Sequence, residues 1–175
     1  MFSLKTNRLE LFPLHLSHLK LLQISRTALE KHLGWEISNM KMADNMTEDI
    51  EGAIQHWINC MSENPTNYQW NTSWEIFLKK ENRSIGTVGF NGIPNELGET
   101  VIGYSIDNSY HNQGYMTEAL TELVVWAELN PRLKRIIAET DQDNLPSQRV
   151  LLKVGFEELG IFEERDTLLF GKMNW

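Results

Sequence analysis

Residues 98–141 carry one strand–helix–strand unit, and that unit limits the folds open to this chain. GETVIGYSID (98–107) is a run of β-formers that reads as a strand. Residues 117–129 place Ala119, Leu120, Leu123, Val124 and Ala127 at helical spacing on one face. RIIAETD (135–141) then reads as a short buried strand. Two strands joined through a helix lie parallel in one sheet. The rest of the chain shows hairpin signals, which demand antiparallel neighbours. An α+β domain with a mixed sheet satisfies both.

The remaining elements follow the same patterns. LKTNRLELFPL alternates Leu4, Leu9 and Leu11 with polar residues and stops at Pro13, as a first strand does. Residues 14–33 approach helical spacing through Leu14, Leu19, Leu22, Ile24 and Leu29. A second helix is expected from Thr47 to about Ser62, with Ile50, Ile54, Trp57 and Ile58 on one side. Runs 74–79 and 84–90 flank the polar KENR and read as a hairpin. NLPSQRVLLKVGF starts at Asn144, carries Pro146 in its first turn and stops at Gly155, the signature of a capped helix. GIFEERDTLLFGKMNW reads as two final strands joined at Arg165–Asp166. That gives about seven strands in a single domain spanning 1–175.

Bulk properties exclude several function classes. The formal net charge is −8 and no Lys/Arg cluster exceeds RLKR (132–135), which argues against nucleic acid as a partner. An acidic protein sooner attracts a cationic partner or an amine. No apolar run approaches the roughly 20 residues that span a bilayer, and MFSLKTNRLELF lacks a signal-peptide pattern. The lone Cys60 forms no internal disulfide, so the cytoplasm is the expected compartment. His15, His18, His32 and His56 show no ligand spacing, and no metal site is expected.

YHNQGYMTEAL (110–120) is where chemistry first shows. It joins a strand to a helix N-terminus, where unpaired amides and the positive end of the helix dipole hold phosphate without Lys or Arg. Gly114 lets the backbone approach a ligand closely, and Thr117 adds a hydroxyl in the first turn. Taken alone, the stretch reads first as a turn and a cap. It is neither a Walker loop nor a dinucleotide fingerprint, since the required glycines and lysine are absent.

TNRLEL, SIGTVGF, VIGYSID, YHNQGYMTEAL and NLPSQRVLLKVGFEELG occur in this order, and together they resemble the GNAT superfamily of acyl-CoA-dependent N-acetyltransferases, in its RimJ/RimL-like branch. The resemblance covers nearly the whole chain and is weakest over 35–75. It implies a GNAT fold: a twisted, mostly antiparallel mixed sheet flanked by helices and splayed between its fourth and fifth strands. It implies acetyl-CoA as cofactor. Backbone groups of Tyr104, Ser105 and Ile106 would meet the pantetheine arm as a pseudo-strand. Amides of Asn112, Gln113, Gly114, Tyr115, Met116 and Thr117 would hold the pyrophosphate. His111 stands where Arg or Gln is usual, and Met116 where a small residue is usual.

The same resemblance places the catalytic candidates. The tyrosine that protonates the thiolate in many members is replaced by Leu151. The Asn-x-x-Ser pattern of RimL-like members matches Asn144, to bond the pantetheine arm, and Ser147, to bond the sulfur. Glu163 and Glu164 are candidates for the base, as is Glu99 at the start of its strand. Trp35, Trp57, Trp70 and Trp74 fall in the segment that builds the acceptor site, and Trp35 is the candidate substrate contact. The implied reaction is direct acetyl transfer to a primary amine, with a protein or peptide N-terminal α-amine as the first acceptor. A small amine (polyamine, amino acid or antibiotic) or a non-catalytic CoA-binding sensor is the alternative. A monomer and a homodimer are both compatible with the sequence.

Overall fold

The structure is a computed structural model that describes residues 2–40, 45–63 and 65–174; for 45–51 only the helical backbone is described. Eight strands form one sheet in the order β1-β2-β3-β4-β5-β6-β8-β7. The strands are β1 (Leu4–Lys5), β2 (Leu9–Pro13), β3 (Trp74–Leu78), β4 (Arg83–Phe90), β5 (Glu99–Ile106), β6 (Arg135–Asp141), β7 (Glu157–Phe162) and β8 (Thr167–Met173). The helices are α1 (Leu16–Ile24), α2 (Arg26–Leu33), α3 (Asn45–Glu63), α4 (Tyr115–Glu128) and α5 (Leu145–Val154). β5 and β6 pair parallel, while the other neighbours pair antiparallel.

Three local readings are corrected. The first strand is split, because the chain turns between Thr6 and Leu9 with the Thr6 amide bonded to the Leu9 carbonyl at 3.1 Å. The sheet therefore has eight strands rather than about seven. The helix expected over 14–33 breaks at Ser25, whose extended backbone (φ −173°, ψ 155°) ends α1. The Ser25 hydroxyl then caps α2 by accepting from the Ala28 amide at 3.0 Å. The helix expected from Thr47 begins at Asn45; the side chains of Thr47, Glu48, Asp49, Ile50 and Glu51 lie outside the described residues.

α4 buries Ala119, Leu120, Leu123, Val124 and Ala127, the expected face, and adds Tyr115 and Met116. They pack on Leu9, Leu11, Ile76, Leu78, Phe90 and Ile102 of the sheet in the main core. The opposite face of β3 carries Glu75, which is fully buried and accepts two bonds from Arg26 of α2, at 2.9 and 3.1 Å. A second core of Leu14, Leu19, Leu29, Ile54 and Met61 joins α1, α2 and α3.

The sheet opens at one place. β5 and β6 pair from Glu99↔Arg135 to Ile102↔Ala138 and no further. β5 continues to Ile106 along β4, and β6 continues to Asp141 along β8. The two strands thus diverge beyond Ile102 and Ala138, leaving the β6-facing edge of Gly103–Ile106 without a strand partner. α4 and α5 begin beside that gap.

Candidate active site

Two clefts meet at the divergence. One, of about 430 Å³, lies between the starts of α4 and α5. The other, of about 930 Å³, opens toward α3, β4 and the free end of β6. Tyr104, Ser105, Asn144 and Ser147 line both.

The smaller cleft is built on a bare helix N-terminus. Gly114 is the N-cap of α4 with φ +77°, a left-handed conformation that costs other residues roughly 1 kcal/mol or more. It has no side chain to accept from the amides of the first turn, which are left to a ligand. Asn112 is also left-handed, with φ +59°. Asn112, Gly114, Tyr115, Met116 and Thr117 line the cleft, as expected. Met116 is 6% exposed, so its bulk serves the core as well. Gln113 differs: its side chain donates to the Ser109 carbonyl at 3.1 Å, and its own carbonyl accepts from Arg8 at 2.9 Å. His111 lines the cleft, and its Nε2 donates to the Ile106 carbonyl at 3.2 Å.

The loop is held from behind by the N-terminal hairpin. Glu118, in the first turn of α4, accepts from the Thr6 hydroxyl at 2.5 Å, the Arg8 amide at 2.9 Å and Arg8 Nε at 2.6 Å. Burial disfavours its charge, but these donors outweigh that and hold the carboxyl below its usual range. The Arg8 guanidinium also lies 4.2 Å from the centre of the Tyr115 ring. TNRLEL marks this segment in the sequence, yet its reach to residues 113–118 is visible only in the fold.

α5 supplies the other wall. The Asn144 side chain caps it by accepting from the Ser147 amide at 3.2 Å. Ser147 Oγ lies 2.9 Å from the Tyr104 hydroxyl, which reaches across the gap from β5. Burial pushes the Tyr104 phenol up to about 12, with the Ser147 hydrogen bond pulling weakly the other way. Leu151, at the position of the missing tyrosine, is fully buried. Arg149 and Lys153 also line this cleft. The sequence reading passed over them, although their spacing of four places both on one face of α5.

Several candidates lie elsewhere. Glu99 begins β5, about 17 Å of strand from Tyr104, with its carboxylate bonded to Arg135. Glu163 and Glu164 are exposed in the turn between β7 and β8. Trp35 stacks on Phe12 and Phe77, at centroid distances of 5.4 and 4.9 Å. Trp70 and Trp74 pack with Trp126 inside the core. The carboxylates that do line the larger cleft are Glu139 and Asp141, joined there by Trp57 and His56. Glu139 accepts from Thr167 Oγ1 at 2.7 Å and from Arg165 at 3.2 Å. RIIAETD reads as a buried strand, and Thr140 is buried, but Glu139 is half-buried and Asp141 exposed.

The two clefts thus differ in charge. Among the described residues, Arg149 and Lys153 are the lysine and arginine side chains lining the smaller, and Glu139 and Asp141 the carboxylates lining the larger. Among the described residues, no group of three or more His, Cys, Asp or Glu is placed to hold a metal, and no helix is long and apolar enough to cross a membrane.

A sheet split between parallel strands, with a bare helix N-terminus beside the split, suits an extended ligand that carries phosphate. Comparison with known proteins agrees. Residues 8–157 match the Acetyltransferase (GNAT) domain, and the chain belongs to that family of acyl-CoA-dependent N-acetyltransferases. It is 33% identical over 157 residues to the uncharacterized N-acetyltransferase YjdG of Bacillus subtilis (strain 168), covering 89% of this chain and 90% of that protein. It is 30% identical over 93 residues to the ribosomal-protein-serine acetyltransferase of Escherichia coli (strain K12), covering 53% and 52% of the two chains. Its fold matches RimL, a ribosomal L7/L12 alpha-N-protein acetyltransferase solved with coenzyme A, with a TM-score of 0.71 over 98% of each chain at 19% identity.

Proposed function

We propose that this enzyme carries acetyl-CoA in the cleft between α4 and α5 and acetylates an N-terminal α-amine of a protein or peptide that enters from the Glu139/Asp141 side. One observation carries this reading: two clefts of opposite charge meet at the β5–β6 divergence. The basic cleft suits an anionic donor. The acidic one suits a cationic amine, and its about 930 Å³ has room for a peptide terminus.

The residues fit the donor in three places. The free amides of α4, with Arg149 and Lys153, suit phosphates. The edge of Gly103–Ile106, which has no strand partner and on which His111 meets the Ile106 carbonyl, suits a peptide-like arm laid as a pseudo-strand. Ser147 stands where that arm would end. The bound donor supplies the activated acetyl group.

The chain's own groups then have defined tasks. The clefts bring amine and thioester together in one complex, so transfer is direct. An α-amine ionises near 7.7–8.0, so it needs only modest help to lose its proton. Glu139 and Asp141 attract the ammonium form, and one of them, directly or through water, accepts that proton. Ser147 donates its hydroxyl hydrogen bond to the departing sulfur. Trp57, in the same cleft, offers an aromatic wall to the acceptor. The lineage of ribosomal-protein acetyltransferases supports a protein terminus over a small amine.

Release of free thiol from acetyl-CoA with a panel of peptides and small amines tests the proposal. Peptides with a free N-terminus should be acetylated and N-blocked ones should not. Turnover confined to small amines would overturn the acceptor assignment. The absence of a thermal shift with acetyl-CoA would overturn the donor site.

A further inference from the structure

We propose that Tyr104 is a positioning residue that holds the Ser147 hydroxyl so that its single hydrogen faces the departing sulfur. The inference rests on the reading of Ser147 as the group that meets sulfur.

The geometry supplies the argument. Tyr104 projects from the part of β5 that has no strand partner toward β6, and its hydroxyl crosses the gap to the third residue of α5. Two acceptors lie there, Ser147 Oγ at 2.9 Å and the Ser147 carbonyl at 3.3 Å. The 2.9 Å contact lets either hydroxyl donate, and we assign the donor role to Tyr104, which leaves the Ser147 hydrogen for sulfur. A serine hydroxyl has one hydrogen and two lone pairs. Once Oγ accepts from Tyr104, that hydrogen must point elsewhere, and both clefts lie beside it. A hydroxyl that already accepts is polarised into a better donor.

The phenol is suited to this task because burial keeps it protonated far above neutral pH. It acts as a fixed donor and is never consumed. As the acceptor nitrogen bonds to the acetyl carbon, the carbon–sulfur bond breaks, the electron pair stays on sulfur, and the thiolate accepts a hydrogen bond from the Ser147 hydroxyl, which keeps its proton. The proton shed by the acceptor nitrogen leaves on the acidic side, and solvent later protonates the thiolate. Tyr104 keeps its own proton throughout. A tyrosine thus serves thiolate departure from β5, whereas the α5 position where the resemblance expects one is the buried Leu151.

The test reads the bound thiol itself and needs no acceptor. The thiol of CoA in complex with the enzyme is titrated by the ultraviolet absorbance of its thiolate, with desulfo-CoA as the blank. The wild type should show a thiol ionisation constant at least tenfold larger than Tyr104→Phe or Ser147→Ala. The double variant should match the single ones, and Ser147→Thr should retain the wild-type constant. Site-specific 3-fluorotyrosine at position 104 keeps the ring while strengthening the donor, and it should raise the constant further. If Tyr104→Phe matches wild type while Ser147→Ala shifts, Tyr104 does not position the serine and only the Ser147 reading survives. If Ser147→Ala also matches wild type, both fall. If the double variant shows the product of two separate losses, Tyr104 acts independently of Ser147 and the inference is overturned.

Discussion

Arg8 and Glu118 lock the N-terminal hairpin to the first turn of α4, through an Nε–carboxylate bond of 2.6 Å reinforced by the Arg8 amide at 2.9 Å. The same guanidinium holds the Gln113 carbonyl at 2.9 Å. The loop before α4 is therefore shaped by a residue more than a hundred positions earlier. Arg8→Ala should leave the partly buried Glu118 short of donors, cost about 1–3 kcal/mol of stability and weaken CoA binding. Urea unfolding and calorimetric titration with CoA measure the two effects.

The Glu118 carboxyl should also shape the acid limb of stability. Its folded value lies below the ordinary 4.5, so the native state resists protonation. Its stabilisation is fully present above pH 4.5 and is lost as pH falls through the folded value. Glu118→Gln should flatten that limb in denaturant titrations between pH 3 and 6.

His18 should act in a higher pH window. Burial lowers its value below 6.5, and His15 and His32 lower it further. Its Nδ1 accepts from the His15 amide at 3.3 Å, which requires an unprotonated ring nitrogen. The native state thus favours neutral His18. Stability is complete above pH 6.5 and declines as pH falls from there toward the folded value. Replacing His18 by Gln should remove that decline in unfolding curves taken between pH 5 and 8.

Much of this architecture could be read from local pattern. The inward face of α4 and both caps of α5, Asn144 and Gly155, follow from spacing and residue type within a few turns. The break at Ser25 did not, because an extended serine that caps a new helix competes with a continuous apolar stripe. The loop that enters α4 could be placed by resemblance, since its residues are contiguous. The acidic cleft could not. Asp141 is exposed and Glu139 half-buried beside the cleft because β6 outruns its pairing with β5, and that is a nonlocal fact. Glu163 and Glu164 lie exposed in the turn between β7 and β8 and line neither cleft.

Gly114 allows a sharp test of the anion site. Gly114→Ala forces a side chain into the left-handed region, at a cost of about 1 kcal/mol. Gly114→Glu adds a carboxylate where phosphate should sit, so CoA binding should be lost while the fold persists. Thermal shift with and without CoA, alongside circular dichroism, separates these outcomes.

The acidic cleft should reveal itself through the acceptor. Glu139→Gln and Asp141→Asn should each raise the acceptor KM, with larger effects at low salt, and leave CoA affinity unchanged. The variant that removes the proton acceptor should also lower kcat by about 10²-fold or more. Steady-state kinetics at two ionic strengths measure both effects.

The most direct test is a crystal structure with CoA bound. The account predicts the pyrophosphate on the amides of Gly114–Thr117, the pantetheine arm along Gly103–Ile106, and the sulfur within hydrogen-bond reach of Ser147 Oγ, facing Glu139 and Asp141. Density that places the sulfur outside the gap beyond Ile102 and Ala138, away from Ser147, would contradict it.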